Sequence, residues 1–362
     1  MRAEYIQLAK QALVEGRMRW LMDQVWKRFA VNLSDVKGRP LMGPILGSVL
    51  VTYRCDNRCL MCDYPQEAGR RKKKGYEELT EEELMQVVQD FKAIGSSSVS
   101  FTGGEPLIRK DIFRLLHSVR EKGMLSNINS NGNLLHNEDL AEELLKTKVD
   151  LINISVDGST AEIHDHLRGV QGGFDKLCEA IAVMNRLKKD KGYKSLINVV
   201  TVISKDNLKQ VPDMIAFAKK NKINRLGFMP VHNFDFIKED MQSQDPDFLA
   251  ELDETIAMLK REVKTGLIDN SVEYLDLFKN CFMNKPLPIK CYTGYHTLMV
   301  NTYGELFPCF PWIEMDKSVG NIRETPIKDF WASQAYNEKR KEISQCRACH
   351  WNCTTELSLV FN

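Results

Sequence analysis

The chain has 362 residues, 43% of them apolar and 27% charged, with a formal net charge of +1. That balance suits a globular protein with one large core and a smaller unit, and it excludes the basic footprint of a nucleic-acid binder. No segment has the long uncharged apolar run of a membrane span, and the N-terminus lacks the apolar stretch and small-residue site of a signal peptide, so a cytoplasmic location is expected.

Residues 1–48 read as a helical extension. Met18, Leu21, Met22, Val25, Trp26 and Phe29 recur at helical spacing among Arg17, Arg19, Lys27 and Arg28. A helix laid over the main domain is the first reading; an interfacial helix resting on an anionic membrane, as a peripheral contact, is the second. From Val49 the pattern alternates. "SVLVTY" predicts a strand that runs into a cysteine loop, and "RRKKK" at 70–74 reads as a solvated loop beyond it. Thr80 with Glu83 forms a capping box before a helix that Gly95 ends. Strands follow at "SVSF", "LSNINSNG", "DLINISVDG", "SLINVVTVI" and "RLGFMPV", with a helix after each of the first four. Six strands at this spacing, over residues 49–232, predict repeated βαβ units and a mostly parallel sheet, short of a full eight-fold barrel. Residues 233–280 read as a polar helical connection and 281–362 as a second, cysteine-rich unit.

Ligands of such sheets gather at the carboxyl ends of the strands. The unusual sequences fall there: the cysteine loop, "TGGEP", "NSNG" and "SVDG". Ten cysteines in a reducing compartment point to metal binding rather than disulfides, and they cluster. Cys178 stands apart in a helical pattern and reads as a small buried hydrophobe. Cys55, Cys59 and Cys62 are spaced C-x3-C-x2-C with no fourth Cys or His nearby. That fits a closed zinc site poorly and suits a four-iron cluster with one iron left open.

With "TGGEP" after the second strand, the pattern resembles the radical S-adenosylmethionine (SAM) superfamily. The resemblance implies a partial (β/α)6 barrel of the α/β class. It implies a [4Fe–4S] cluster on Cys55, Cys59 and Cys62, whose open iron is chelated by the methionine part of SAM. Gly103, Gly104, Glu105 and Pro106 match the motif that meets the SAM amino group, and Tyr64 matches the aromatic beside the adenine. Ser155 and Arg168 match positions that hold the ribose or the carboxylate; Asp157, Asn198 and Met229 are further candidates, with a plain turn as the other reading of Ser155 and Asp157. Reductive cleavage of SAM would give a 5′-deoxyadenosyl radical, which abstracts hydrogen from a C–H bond. An external electron donor such as flavodoxin or ferredoxin is implied.

The C-terminal unit has Cys291, Gly304 and Cys309 as C-x12-G-x4-C, then Cys346, Cys349 and Cys353 in "CRACHWNC". This resembles the SPASM and twitch extensions, small α+β domains that bind auxiliary [4Fe–4S] clusters. A full SPASM domain has seven cysteines for two clusters; here five, with Cys281 as a sixth, imply one. Cys291 and Cys309 would be completed by two of Cys346, Cys349 and Cys353, the pair being left open. A zinc site is the alternative, with His350 as an available ligand. The expected substrate is a small molecule, a sugar or a lipid-linked compound; a ribosomally made peptide is the alternative, and a non-catalytic metal-binding or electron-carrying protein the third reading. His232, Asp235 and Glu239, after the sixth strand, are placed to reach the barrel mouth, or else lie on the surface as polar residues.

Overall fold

The computed structural model describes residues 3–234, 237 and 240–362, with side chains from Leu8 onward. Two helices open the chain, α1 (Ala3–Val14) and α2 (Met18–Lys37), the second closed by Gly38 in the left-handed region at φ 64°. The barrel follows in order: β1 (Leu46–Thr52), α3 (Tyr64–Lys73), α4 (Glu81–Ala93), β2 (Ser98–Gly103), α5 (Ile112–Glu121), β3 (Leu125–Ser130), α6 (Glu138–Lys146), β4 (Leu151–Ser155), α7 (Ala161–Arg168), α8 (Gly173–Lys191), β5 (Leu196–Ile203), α9 (Val211–Lys220) and β6 (Arg225–Pro230). The capping box forms as expected: the Thr80 hydroxyl accepts from Glu83 N while the Glu83 carboxylate accepts from Thr80 N.

The six strands pair in parallel, each with its sequence neighbour. Their period of two sorts side chains to two faces. Val49, Phe101, Ile128, Ile152 and Ile197 point out to the helices and build the main core. Ser48, Ser100, Asn127, Asn129, Asn153 and Asn198 line the interior. At the amino ends, Leu125, Leu151 and Leu196 pack on Leu8, Ala12 and Trp20, so α1 and α2 floor the barrel. Trp20 Nε1 donates to the Ser97 carbonyl at 3.1 Å, and buried Lys27 donates to the Gly95 carbonyl and, at 2.6 Å, to the Ser97 hydroxyl.

The "RRKKK" run corrects the expectation of a loop. It forms the last turn of α3, which starts with Pro65 in its first turn and is laced by Glu67 to Arg70 and Arg71 at 2.7 Å each. Arg71 turns inward to Glu305 at 3.0 Å and over the Tyr303 and Tyr76 rings, while Lys72, Lys73 and Lys74 are exposed. Cys178 is half-buried on α8 rather than wholly inside.

Beyond α10 (Pro246–Val263) come α11 (Val272–Leu275), α12 (Phe278–Phe282) and α13 (Thr293–His296). Then β7 (Thr297–Val300) lies parallel to β1, with Leu46 opposite Thr297, and β8 (Glu305–Phe307) and β9 (Gly320–Asn321) extend the sheet antiparallel. α14 (Phe310–Glu314) separates β8 from β9, and α15 (Ile327–Phe330), α16 (Gln334–Gln345) and α17 (Asn352–Leu359) complete the unit. The cysteine-rich unit thus continues the barrel sheet across its β1 edge, and a single apolar cluster contains both Phe101 and Trp312.

Candidate functional site

The cysteine loop leaves the carboxyl end of β1 and is held by the ends of two other strands and of one helix. From β2, Gly104 N donates to the Thr52 carbonyl at 2.7 Å and Glu105 N to the Arg54 carbonyl at 2.9 Å. A Cβ on Gly103 would stand 2.2 Å from the Thr52 oxygen, and one on Gly104 2.1 Å from the Arg54 oxygen. Both glycines let two backbones touch, and Gly103 takes a φ of 135° that other residues avoid. Glu105 is fully buried, and its carboxylate accepts from Leu107 N, the Ser130 hydroxyl and Asn131 N at 2.8–3.0 Å. Burial pushes its pKa up to about 7 against those three donors. Glu105 is a clasp between β2 and β3, and Pro106 starts the short turn behind it.

From β3, Asn131 Nδ2 donates to Asp56 at 2.6 Å and reaches Cys55 Sγ at 3.8 Å, while Asn133 Nδ2 donates to Asn57 at 2.7 Å. From the end of α7, the Arg168 and Leu167 carbonyls accept from Arg58 N and Leu60 N at 3.1 and 3.0 Å. Arg168 also points at Cys59 Sγ at 3.8 Å and pairs with buried Asp157 at 2.7 Å. Asp157 in turn accepts from Val202 N at 2.8 Å. Asp157 therefore acts on the site through Arg168.

Burial raises the pKa of all three loop thiols, that of Cys55 to about 12. Hydrogen-bond donors from Asn57 N, Asn131 and Arg168 face the sulfurs and favour thiolate over thiol. Three thiols in a donor-rich shell fit an iron–sulfur cluster with one iron lacking a protein ligand. Among the described residues no three His, Cys, Asp or Glu side chains are grouped to hold a single metal ion.

A cavity of about 380 Å³ runs from the helical floor to this loop. Of the sequence-derived candidates, Cys62, Tyr64, Ser155, Arg168, Asn198, Met229 and Cys353 line it. Tyr64 lies flat on Tyr53, ring centres 4.7 Å apart. Asn198 Oδ1 and Arg168 Nε are buried without a hydrogen-bond partner, the kind of orphaned pair a polar cofactor satisfies. The residues present therefore fit SAM as well as the cluster.

At the rear, Cys291, Cys309, Cys346 and Cys349 lie within electrostatic reach of one another. Burial and the thiols of Cys349, Cys291 and Cys346 push the Cys309 pKa well up, and burial with Cys291 and Cys346 brings that of Cys349 to about 12. Cys353, in the first turn of α17, lines the cavity and also lies within electrostatic reach of Cys349. Cys281 meets Gln242 Nε2 and the Val231 carbonyl at 3.8 Å. His350 N donates to His232 Nε2 at 3.1 Å, and His232 packs on Trp351. Asp235 and Glu239 lie outside the described residues.

The sequence reading flagged "NSNG" without singling out Asn131, and it missed Gly169 and Glu314. A Cβ on Gly169 would sit 2.1 Å from the Arg58 carbonyl, at a φ of 59°. Glu314, from α14, enters the cavity beside the Tyr64 hydroxyl, and burial raises its pKa to about 7. Phe310 and Trp351, stacked 5.3 Å apart, join Phe234 as the cavity's aromatic wall. Of the residues missed, only a Gly after a helix end could have been flagged in advance.

The chain is similar to known proteins along most of its length. The Radical SAM superfamily description matches residues 49–218, and the iron-sulfur cluster-binding domain called SPASM matches 291–354. The Fe-coproporphyrin III synthase of Methanosarcina barkeri is 26% identical over 333 residues, which cover 83% of this chain and 79% of that protein. The AdoMet-dependent heme synthase of the same organism is 25% identical over 296 residues, 76% of this chain and 80% of that one. Among solved structures, Streptococcus suis SuiB bound to its precursor peptide SuiA superposes with a TM-score of 0.66 at 17% identity, covering 89% of this chain and 74% of SuiB. With one match spanning the front cysteine loop and the other the rear cysteines from Cys291 to Cys353, the chain carries a radical SAM domain and a SPASM-type iron–sulfur domain, its cofactors being a [4Fe–4S] cluster, SAM and an auxiliary cluster.

Proposed function

We propose that the chain catalyses radical C–H chemistry on a small-molecule or lipid-linked substrate held in the barrel interior. Cys55, Cys59 and Cys62 are the ligands of the SAM-binding cluster in this reading, and Cys291, Cys309, Cys346 and Cys349 those of the auxiliary one. When bound, the reduced cluster and SAM supply a 5′-deoxyadenosyl radical that abstracts hydrogen from an unactivated C–H bond. Tyr64 offers its ring to the adenine. Arg168 offers its guanidinium to the SAM carboxylate, held by Asp157. Ser155 and Asn198 offer polar atoms to the ribose and substrate side, and Met229 closes the wall. The net reaction is an oxidation, dehydration or bond formation, with an external donor such as flavodoxin or ferredoxin supplying electrons.

The observation that carries the substrate class is the interior itself: Ser100, Asn127, Asn129, Asn153 and Asn198 stand below the cluster loop, and Phe234, Phe310 and Trp351 stand beside it. Polar rungs with one aromatic wall suit a compact molecule that has a polar end and an apolar body. Two relatives named for haem and coproporphyrin chemistry point the same way. The peptide reading has its own supports: the fold shared with peptide-bound SuiB, and a relative 25% identical over 308 residues that is named a PqqA peptide cyclase.

The test uses anaerobically reconstituted protein with SAM and a strong reductant. Cell extract is split into dialysable metabolites, solvent-extracted lipids and peptides, and each is scored for stimulated 5′-deoxyadenosine formation. Stimulation by metabolites or lipids is expected. Stimulation by the peptide fraction alone, abolished by protease, overturns the substrate class.

A further inference from the structure

The floor helix α2 has two faces of opposite character to what surrounds them. Its inner face is fixed: Trp20, Lys27, Ala30, Val31 and Ser34 are buried against the barrel and the rear unit. Its outer face carries Met18, Met22, Val25, Trp26, Phe29, Leu33 and Val36, all exposed. At ~100° per residue these seven positions fall on one stripe of about 100° that runs the length of the helix. Met22 is 65% exposed, Phe29 68% and Val36 83%. Leu13 and Val14, at the end of α1, extend the patch. Apolar surface of this extent on one helix marks a docking face.

Charge says what docks. Arg19 and Lys37 border one edge of the stripe and Arg28 the other, with Arg39 just past the helix; all four are exposed and none has an ion-pair partner among the described residues. The acids of the same segment are taken up internally. Asp23 pairs with buried Lys27 at 3.0 Å, Asp35 with Lys290, and Glu15 with Arg17 at 2.7 Å. The outer face is thus apolar along its centre and cationic along its margins. A second copy of the same face would set cation against cation.

We propose that α2 docks this chain on an anionic membrane surface, with Trp26 and Phe29 entering the headgroup boundary and Arg19, Arg28 and Lys37 meeting lipid phosphates. The helix lies in the plane of the surface and spans nothing; no described helix is long and apolar enough to cross a membrane.

The full-length, cluster-loaded protein is floated with vesicles of phosphatidylcholine carrying about one-third phosphatidylglycerol, and with pure phosphatidylcholine. Flotation with the anionic vesicles, weakened by salt, is expected. Arg19→Gln, Arg28→Gln and Lys37→Gln together should weaken partitioning on the order of a hundredfold. Trp26→Ser with Phe29→Ser should abolish it. All five side chains are exposed, and unchanged iron content and far-UV circular dichroism establish that the variants fold. No flotation on either vesicle, or equal flotation on both, overturns the proposal. So does a dimer in solution by light scattering that Trp26→Ser with Phe29→Ser converts to monomer, which assigns the face to a second copy.

Discussion

The two cysteine sites are built in opposite ways. The front site takes three thiols from one eight-residue loop and borrows everything else: Gly103 and Gly104 from β2, Asn131 from β3, Arg168 from α7. The rear site, as proposed, draws four thiols from three separate stretches of chain, and Cys309 and Cys349 lie within electrostatic reach of its other members. The front is a local motif positioned by the fold, whereas the rear exists only once the fold has formed. An open ligand position demands outside residues to shape the vacancy; a closed four-thiolate site demands only that its ligands meet.

The strongest way to break this contrast is Cys59→Ala. It should abolish 5′-deoxyadenosine formation and remove about four irons per chain, leaving the rear iron in place, as read by iron and sulfide analysis. Equal loss from both sites would mean that they assemble as one. Next, Cys349→Ala should remove the rear iron and Cys353→Ala should leave it. The reverse result would exchange their roles and make Cys353, which faces the cavity, a ligand.

Acid should act on both halves through buried imidazoles, His164 in the barrel and His296 in the rear, each lowered by burial to about 3. His296 is buried between the Thr297 and Ser358 hydroxyls at 2.7 and 3.0 Å, and burial lowers its pKa from 6.5 to about 3. Between those values the unfolded chain binds the proton and the folded chain does not, so stability is present above pH 6.5 and is lost as pH falls toward 3. From pH 7 to pH 5 the loss is about 2 kcal/mol, measurable by urea unfolding, and a His296→Gln variant that unfolds normally should show a shallower slope. The smallest effect is expected at Asn198→Ala, which removes an amide with one unpartnered oxygen. It should raise the KM for SAM about fivefold with iron content unchanged; a change in iron would move Asn198 from the cofactor to the fold.

The sequence was most readable where the chemistry is contiguous. C-x3-C-x2-C and "TGGEP" each lie within a few residues, and alternating strands and helices carry their own periods, so the six-stranded barrel and the front ligands were open to view. The proposed choice of Cys346 and Cys349 over Cys353 was not, because it depends on how the chain between α16 and α17 turns the thiols. Nor was Glu314, one of two acids in "PWIEMD" until α14 carries it to Tyr64. "RRKKK" was misread because a helix without apolar spacing leaves only weaker signals, Pro65 and the Glu67 pairs. The glycines of "TGGEP" were matched to the motif that meets the SAM amino group, and their nearest neighbour proves to be the backbone at the end of β1 and just past it.

The parallel pairing of β7 with β1 has a consequence for electrons. The strand that leads into Cys55 and the strand reached from Cys291 share main-chain hydrogen bonds from Leu46 to Val49. A rear domain on a linker would sample many separations from the barrel, and tunnelling falls off steeply with distance. Here the gap between the two centres is a dimension of one sheet. Any electron that passes between the two centres would cross a fixed span, set when the chain folds rather than when a domain swings.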